Sequence, residues 1–359
     1  MRSYGSDGHD VKGGSSASST NPAVRSPPTI IDLAAHVGVS KTTVSRALNG
    51  SPRIAPATRA RVLEAIEELG FQVNLAARSL RTAKTGLVGF LVPIISIFGL
   101  IVEELDNELA EDGFSILLTS SRRRDTARDV QAIETLTSRG VDALVIAPSN
   151  DRSPELREFL RMIRTPVILL DRDVRGLTAD AVLIDQGPGI LGAMDHLVEQ
   201  GRSRIGVLLR DSKTRSARQI RIAYDKGLVR HGLTMDPALV GEFTDLDHET
   251  GRRGVHQLLD AGADAIISTG TIEFTASVLE QLSARNIAVP NDLSLVVYGH
   301  RAAATSHAGR LPMVAYPIED IARATRRLLG PRLAGSNAPP RVEQVNTIFF
   351  GPSGSSPAS

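Results

Sequence analysis

The chain has 359 residues, no cysteine, and 41 lysines and arginines against 40 aspartates and glutamates, a formal net charge of +1. Its length allows more than one domain, and the lack of cysteine excludes disulfides and thiolate metal sites. Residues 1–28 are rich in Ser, Gly and Pro and lack the apolar stretch of an export signal. No apolar run is long enough to cross a bilayer. We therefore expect a cytoplasmic protein with a disordered leader over 1–28.

The small net charge hides an uneven distribution. Residues 29–84 carry eight basic and four acidic side chains, a net charge of +4. The leader carries +1, so the remainder of the chain carries −4. A basic segment joined to a mildly acidic body predicts a polyanionic partner for that segment alone.

Three short helices are predicted over the basic segment. Thr29 and Ser40 are suited to cap the first and second helices, and Gly38 offers the positive φ that ends the first. A third helix near 57–69 is followed by Gly70. Two short helices joined by a glycine-containing turn and braced by a third make a helix-turn-helix, which we expect over residues 29–73.

The second of these helices, about 41–48, offers outward side chains that can contact DNA. Its N-terminal residues would enter the major groove, where Lys41 and Arg46 can bond guanine and Thr42 can touch a base. The alternative is a solvated polar face on an ordinary helical hairpin. The side chains expected to contact phosphates, which fix register rather than sequence, are Thr29, Ser40, Thr43, Ser45, Asn49 and Arg78.

A short helical segment follows at 74–84. Asn74 can cap it, but a helix of this length is not stable alone. A helix that forms only on DNA and inserts Leu80 between base steps would account for such a sequence, because apolar wedges kink DNA from the minor groove. The alternative is a plain linker helix with Leu80 packed on its own domain.

Residues 29–93 resemble the LacI/GalR family of bacterial transcription regulators. The matching stretches are DLAAHVGVSKTTVSRALNG, RVLEAIEELGF, and NLAARSLRT followed by GLVGFLVP, in unbroken order. The resemblance implies a DNA-ordered hinge helix, a core like that of sugar-binding proteins, and dimers on palindromic operators. It also implies that Lys41, Thr42 and Arg46 match the family's base readers and that Leu80 matches its intercalating leucine.

The chain after residue 84 alternates short apolar runs with helical patterns. Strands that are apolar throughout and separated by helices predict parallel sheets covered on both faces, here in two doubly wound halves. Together with the resemblance, which implies a core like that of periplasmic binding proteins, the fold class is an N-terminal all-α helix-turn-helix of the lambda-repressor type plus an α/β core of this kind. The resemblance implies crossings near 183, 313 and 336. The expected division is a core over 85–350, an N-half of 85–182 and 314–335, a C-half of 183–313 and 336–350, and a disordered tail over 351–359.

The resemblance places effector contacts on loops in the cleft between the halves. Open α/β sheets bind ligands beyond the carboxyl ends of their strands. Asp171 and Arg172 follow a predicted strand, and Arg221 matches a frequent effector-binding arginine, able to grip hydroxyls or a carboxylate. The alternative for each is a surface ion pair.

Three stretches depart from the family pattern at this cleft. The sequence Val297-Tyr298-Gly299-His300-Arg301 lacks the usual sugar-gripping aspartate, Ile97-Phe98-Gly99-Leu100 replaces Asn-Pro-Phe-Phe, and Thr269-Gly270-Thr271 replaces Asn-Asp. These changes predict an anionic effector, a sugar acid or sugar phosphate, rather than a neutral sugar; alternatively, no effector binds. The expected effector contacts are Phe98, Asp171, Arg172, Arg221, Thr271, His300 and Arg301.

A glycine pattern offers a competing interpretation. Gly187-x-Gly189-x-x-Gly192 follows a predicted strand and opens a helix, and Asp211 stands where a ribose-binding acid would lie, as in NAD(P)-binding enzymes. Two residues intervene between the strand and Gly187, however, and Pro188 restricts the turn.

Other signals of catalysis are missing from the sequence. It contains no H-E-x-x-H, G-x-S-x-G or Walker A pattern, and its histidines lack metal-ligand spacing. A sugar-binding protein without a regulatory role stays a further alternative, which the basic segment over 29–84 disfavours. The sequence predicts a non-enzymatic repressor of carbohydrate or sugar-acid genes, without cofactor or metal. We expect it to act as a homodimer at the nucleoid, controlled by a small ligand.

Overall fold

A computed structural model describes residues 28–48, 51–71, 84–121, 125–299 and 311–352. The chain divides into two compact units, residues 1–75 and residues 76–359. Among the described residues, no helix combines the length and apolar character that a membrane span requires.

The described residues of the first unit form three helices, whose ends follow from the sequence. They are α1 (Ile30–Val37), α2 (Lys41–Leu48) and α3 (Pro56–Leu69). Thr29 and Asp32 form a reciprocal capping box at the start of α1. Gly38 at φ 72° ends this helix in the left-handed conformation that favours glycine. The predicted helix-turn-helix is thus confirmed.

The core of this domain is formed by apolar side chains at helical spacing. Leu33 and Val37 of α1 pack with Val44 of α2 and Val62 of α3, all fully or nearly fully buried. Because each helix is only two to four turns long, its stability comes from this shared packing rather than from helix propensity.

The second unit contains two six-stranded sheets flanked by helices, which confirms the predicted α/β class. The first sheet has the order β11-β5-β4-β3-β1-β2 and the second the order β12-β10-β9-β8-β6-β7. All neighbours are parallel except β10 and β12. The strands are β1 (Leu87–Val92), β2 (Ser115–Ser120), β3 (Ala143–Ile146), β4 (Val167–Leu170), β5 (Asp180–Asp185), β6 (Ile205–Arg210), β7 (Val240–Phe243), β8 (Ala265–Ser268), β9 (Ser294–Gly299), β10 (Met313–Ala315), β11 (Val342–Asn346) and β12 (Ile348–Phe350).

Helices cover both faces of each sheet, as continuous apolar strands require. They are α4 (Ile95–Ala110), α5 (Thr126–Ser138), α6 (Pro154–Met162), α7 (Gly187–Glu199), α8 (Arg215–Arg230), α9 (His248–Asp260), α10 (Ile272–Ala284) and α11 (Ile318–Leu333). We call the first sheet with its helices the N-half and the second sheet with its helices the C-half.

Within the described part of the core, the chain crosses between the halves three times. The first crossing follows β5 at Gln186, the second follows β10 at Tyr316, and the third lies at Thr347, between β11 and β12. The predicted third crossing near 336 is wrong, because β11 pairs in parallel with β5 and keeps this segment in the N-half. The strand β11 alternates exposed and half-buried residues, so it lacks the continuous apolar run that marked the other strands.

Several elements of the core leave little signal in the sequence. The strands β7, β10 and β12 have only three or four residues. The helix α9 contains Gly251 and Gly254, which weaken its helical signal. Both glycines have a packing role: a Cβ on Gly251 would lie 2.8 Å from Ser277 Oγ, and one on Gly254 would lie 2.7 Å from a Leu208 methyl group. The helix is therefore set by tertiary packing.

Candidate DNA-binding unit and effector cleft

The predicted base readers lie on the exposed side of α2. Lys41, Thr42 and Arg46 are exposed, whereas Val44 and Ala47 on the opposite side are buried. The first turn of α2 carries no acidic side chain. The positive end of its helix dipole therefore suits an anionic partner.

The hydroxyl groups predicted to contact phosphate also shape the helix starts. Thr29 Oγ1 donates to Asp32 Oδ2 at 2.7 Å, and the Thr29 N–H donates to the same oxygen and lowers the pKa of Asp32. The carboxylate of Asp32 thus already occupies the positive end of α1, where a phosphate would otherwise bind. Ser40 Oγ accepts from the Thr43 N–H at 3.0 Å and bonds Thr43 Oγ1 at 2.8 Å. Ser45 lies half-buried on α2. These contacts favour α2 over α1 as the phosphate-facing helix.

Two arginines of the basic segment brace the domain. Arg59 Nη2 donates to Ser51 O at 2.8 Å, and Arg61 Nη2 donates to Val37 O at 2.5 Å, at the C-terminus of α1. A cation at this end of a helix is favourable. Two of the basic side chains in residues 29–84 therefore stabilise the domain itself. Five predicted site residues lie outside the described residues: Asn49, Arg78, Leu80, His300 and Arg301.

The cleft between the halves brings together four predicted effector residues. Phe98 on α4, Asp171 and Arg172 after β4, and Thr271 before α10 all line it. They meet there because the carboxyl ends of parallel strands face one region. The other residues lining the cleft are Pro93, Ile94, Arg210, Thr214, Ser216, Ala217, Ile220, Leu246, Thr269 and Tyr316.

Asp171 and Arg172 form a buried pair, not a surface one. Their exposed fractions are 4% and 5%, and Arg172 Nη1 lies 3.3 Å from Asp171 Oδ2. Arg172 Nε also donates to Pro148 O at 2.8 Å. Burial raises the pKa of Asp171 to about 6, against the opposing charges of Arg172 and Arg215. The cleft therefore contains a carboxyl group that can change its protonation near neutral pH.

Arg221, a predicted effector contact, is not among the residues that line the cleft. Its Nε lies 3.0 Å from Asp225 Oδ1, and its Nη1 lies 3.2 Å from Glu242 Oε1. Ile220, one residue earlier on α8, lines the cleft instead. Successive residues of a helix point about 100° apart. Ile220 can therefore face the cleft while Arg221, the next residue, faces away from it. Ala217 and Tyr224 lie on the same buried side as Ile220, and this apolar spacing was the available signal.

Several cleft residues were not singled out from the sequence. Arg210 ends β6 and Thr214 caps α8, where its side chain accepts from the Ala217 N–H. Arg210 Nη2 donates to Thr244 O at 3.1 Å. Tyr316 lies at the second crossing, and burial raises the pKa of its hydroxyl well above the usual range. The positions of Arg210 and Thr214, at a strand end and a helix start, are the ones where ligand contacts are expected.

The glycine pattern that suggested dinucleotide binding is explained by packing at the crossings. A Cβ on Gly189 would lie 2.4 Å from Val314 Cγ1, and one on Gly192 would lie 2.8 Å from Phe349 Cβ. The glycines thus admit β10 and β12 against α7. Asp211, the expected ribose acid, pairs with Lys213 at 3.1 Å. Within the described residues there is also no cluster of His, Asp or Glu that could hold a metal ion.

Comparison with known families agrees with this architecture. Residues 29–74 match "Bacterial regulatory proteins, lacI family". Residues 85–270 match "Periplasmic binding proteins and sugar binding domain of LacI family", and residues 194–353 match a periplasmic binding protein-like domain. The chain belongs to the LacI/GalR family. It is a DNA-binding transcriptional regulator.

Individual relatives extend over most of the chain. It is 27% identical over 307 residues to the transcriptional regulator DegA of Bacillus subtilis (strain 168), covering 84% of this chain and 90% of DegA. It is 28% identical over 303 residues to GalR of Escherichia coli (strain K12), covering 84% and 88%. These relatives are regulators and not enzymes.

Solved structures show the same fold. The regulator CelR, in its complex with cellobiose, is 26% identical with a TM-score of 0.67, covering 91% of this chain and all of CelR. The Lac repressor dimer bound to operator and the anti-inducer ONPF has a TM-score of 0.76 at 19% identity, covering 92% of this chain and 99% of that one. At that identity the second likeness concerns the fold alone.

Proposed function

We propose that this regulator is a repressor of carbohydrate or sugar-acid genes that binds a palindromic operator as a homodimer. The observation that carries this proposal is the basic, exposed side of α2, where Lys41, Thr42 and Arg46 point outward and the first turn has no acidic side chain. In each subunit these side chains contact base edges, while Ser40, Thr43, Ser45, Asn49 and Arg78 contact phosphates. Leu80 enters the minor groove between the half-sites.

The cleft is the proposed effector site. Two guanidinium groups, of Arg172 and Arg210, line it together with the carboxyl group of Asp171. Phe98 and Ile220 supply an apolar wall. An excess of cationic groups beside an apolar wall supports an anionic effector such as a sugar acid or sugar phosphate. The cellobiose bound by the relative CelR supports a carbohydrate class.

Ligand control follows from the two-half architecture. A ligand that contacts both halves favours the closed arrangement by its differential affinity, and operator affinity changes with it. Contacts from α4 of the N-half and α10 of the C-half meet in the cleft through Phe98 and Thr271. Effector and operator binding are therefore expected to be reciprocal: each changes the affinity of the other by the same factor.

The operator half of the proposal is tested by selecting bound fragments from genomic DNA and measuring their affinity by fluorescence anisotropy over a salt series. A dimer on a palindrome should show a steep negative slope of log K against log salt, about −0.9 for each phosphate contact. The variant Leu80→Ala should weaken operator binding and leave ligand binding intact. Equal affinity for operator and unrelated DNA would contradict the proposal.

The effector half is tested by calorimetry. Gluconate and glucose 6-phosphate are compared with glucose and cellobiose at equal concentrations. Binding of the anionic ligands, weakened in Arg210→Ala, is the expected result. If only the neutral sugars bind, the anionic class is wrong, and the operator measurement still stands.

A further inference from the structure

The carboxylate of Asp151 bridges the two halves of the core. Asp151 follows β3 in the N-half and is fully buried. Its Oδ2 accepts from the backbone N–H of Arg215 at 2.5 Å, and its Oδ1 accepts from Arg218 Nη1 at 3.0 Å. Both donors belong to the first turn of α8, in the C-half. A charged group of one half thus occupies the helix N-terminus of the other, where an anion is stabilised.

The loop that carries Asp151 is fixed within the N-half. The N–H and Oγ of Ser149 donate to the buried Asp129 Oδ2 at 2.8 and 2.6 Å. Arg172, which lines the cleft, donates from its Nε to Pro148 O at 2.8 Å. The N-half therefore presents Asp151 as a preorganised acceptor and not as a side chain on a free loop.

The receiving turn of α8 is equally well defined. Arg218 Nη1 also donates to Ser212 O at 3.0 Å, which holds the guanidinium over the helix start. Arg215 Nη1 makes a second contact across the halves, to Ile184 O at 2.7 Å. Thr214 and Ser216 of the same turn line the cleft. Opening the cleft must therefore separate Asp151 from α8.

We propose that Asp151 is a latch between the two halves: its carboxylate occupies the N-terminus of α8 and sets how far the equilibrium lies toward the closed cleft. A charge-assisted pair of hydrogen bonds at a buried site shifts such an equilibrium by roughly tenfold or more. Ligands that need the closed cleft then bind more tightly, in proportion to the closed fraction. The same site excludes an acidic ligand group from the start of α8, since Asp151 already fills it.

The latch is tested by the distance between the halves. The chain has no cysteine, so spin labels attach only at introduced sites, here Met162→Cys on α6 and Val229→Cys on α8, both largely exposed. Pulsed electron spin resonance then compares the parent with Asp151→Ala and Asp151→Asn. We expect Asp151→Ala to add a longer-distance population. We expect Asp151→Asn, which keeps an acceptor oxygen but loses the charge, to lie between. Asp173→Ala, which removes an exposed carboxylate of the N-half, is the matched control and should keep the parent distances.

Chemical rescue separates a latch from a merely structural residue. Acetate should refill the helix start in Asp151→Ala and restore the short distance, whereas sodium chloride of equal ionic strength should not. Parent-like distances in folded Asp151→Ala, or equal effects of acetate and chloride, would overturn the proposal. If Asp151→Ala does not fold, the same distances are measured in Arg218→Gln. This variant removes the guanidinium that donates to Asp151 Oδ1 and leaves Asp151 in place. The measurement needs neither operator nor effector, so its result is independent of the proposed function.

Discussion

The backbone N–H of Gly189 donates to Thr347 Oγ1 across 3.2 Å and so joins the first crossing between the halves to the third. Thr347 is almost fully buried, and its Oγ1 also donates to Asp185 O at 3.0 Å. A Cβ at position 189 would lie 2.6 Å from that hydroxyl oxygen and 2.4 Å from Val314 Cγ1. The close contact between the first and third crossings therefore requires glycine at position 189.

Replacing Gly189 with Ala should destabilise the core. Overpacking of a close contact costs about 1–3 kcal/mol, and urea unfolding followed by circular dichroism measures the loss. Gly201→Ala is a poor control because its φ of 79° is itself unfavourable for alanine. Gly99→Ala is the better one, since a Cβ there meets nothing within 4 Å. Equal stability of Gly189→Ala and Gly99→Ala would contradict the packing role.

Removing the guanidinium of Arg46 should weaken operator binding. A bidentate contact to a base contributes about 1–3 kcal/mol of discrimination, so Arg46→Ala should lose about 5- to 150-fold in affinity and relax specificity at one base pair. Anisotropy titrations on the selected operator measure both effects. Arg252→Ala, on the exposed face of α9, removes an equal charge far from the first unit in sequence. A similar loss in both variants would mean that only net charge matters.

The residues that begin and end helices made the first unit predictable from the sequence. Thr29, Gly38 and Gly70 mark helix ends by cap chemistry and by positive φ, which depend on neighbouring residues only. The central strands were predictable for a similar reason, because burial on both faces demands continuous apolar runs. The edge strand β11 is half exposed, and its place in the N-half is fixed by pairing with β5, a contact between distant parts of the chain.

The cleft was predictable as a region but not residue by residue. Asp171 and Arg172 follow a strand end, where ligand contacts concentrate. Arg221 lies outside the cleft lining, next to Ile220 inside it, because a one-residue shift on a helix turns a side chain by about 100°. Asp151 carried no sequence signal: a lone aspartate in a loop gives no hint that a helix of the other half begins at its carboxylate.

The contrast between Arg210 and Arg221 predicts opposite results for two similar substitutions. Arg210 lines the cleft, whereas Arg221 is held by Asp225 and Glu242. Arg210→Ala should weaken binding of an anionic effector by about tenfold or more, the value of a charged hydrogen bond. Arg221→Ala should leave it within about twofold, because its ion pairs are partly exposed and lie outside the site. Calorimetry with one bound ligand measures both. A loss confined to Arg221→Ala would reverse the assignment.

The buried carboxyl of Asp171 should make stability depend on pH in an unusual direction. Its pKa is raised from 3.8 to about 6, chiefly by burial. The folded state therefore holds the proton more tightly than the unfolded state, and stability is lost as pH rises through this window. Between pH 5 and pH 7 the loss is about 1 kcal/mol for these two pKa values. Asp171→Asn cannot ionise, so its unfolding free energy relative to the parent should rise by about that amount over the same interval. Parallel pH profiles for the two proteins would show that Asp171 is already ionised at pH 5.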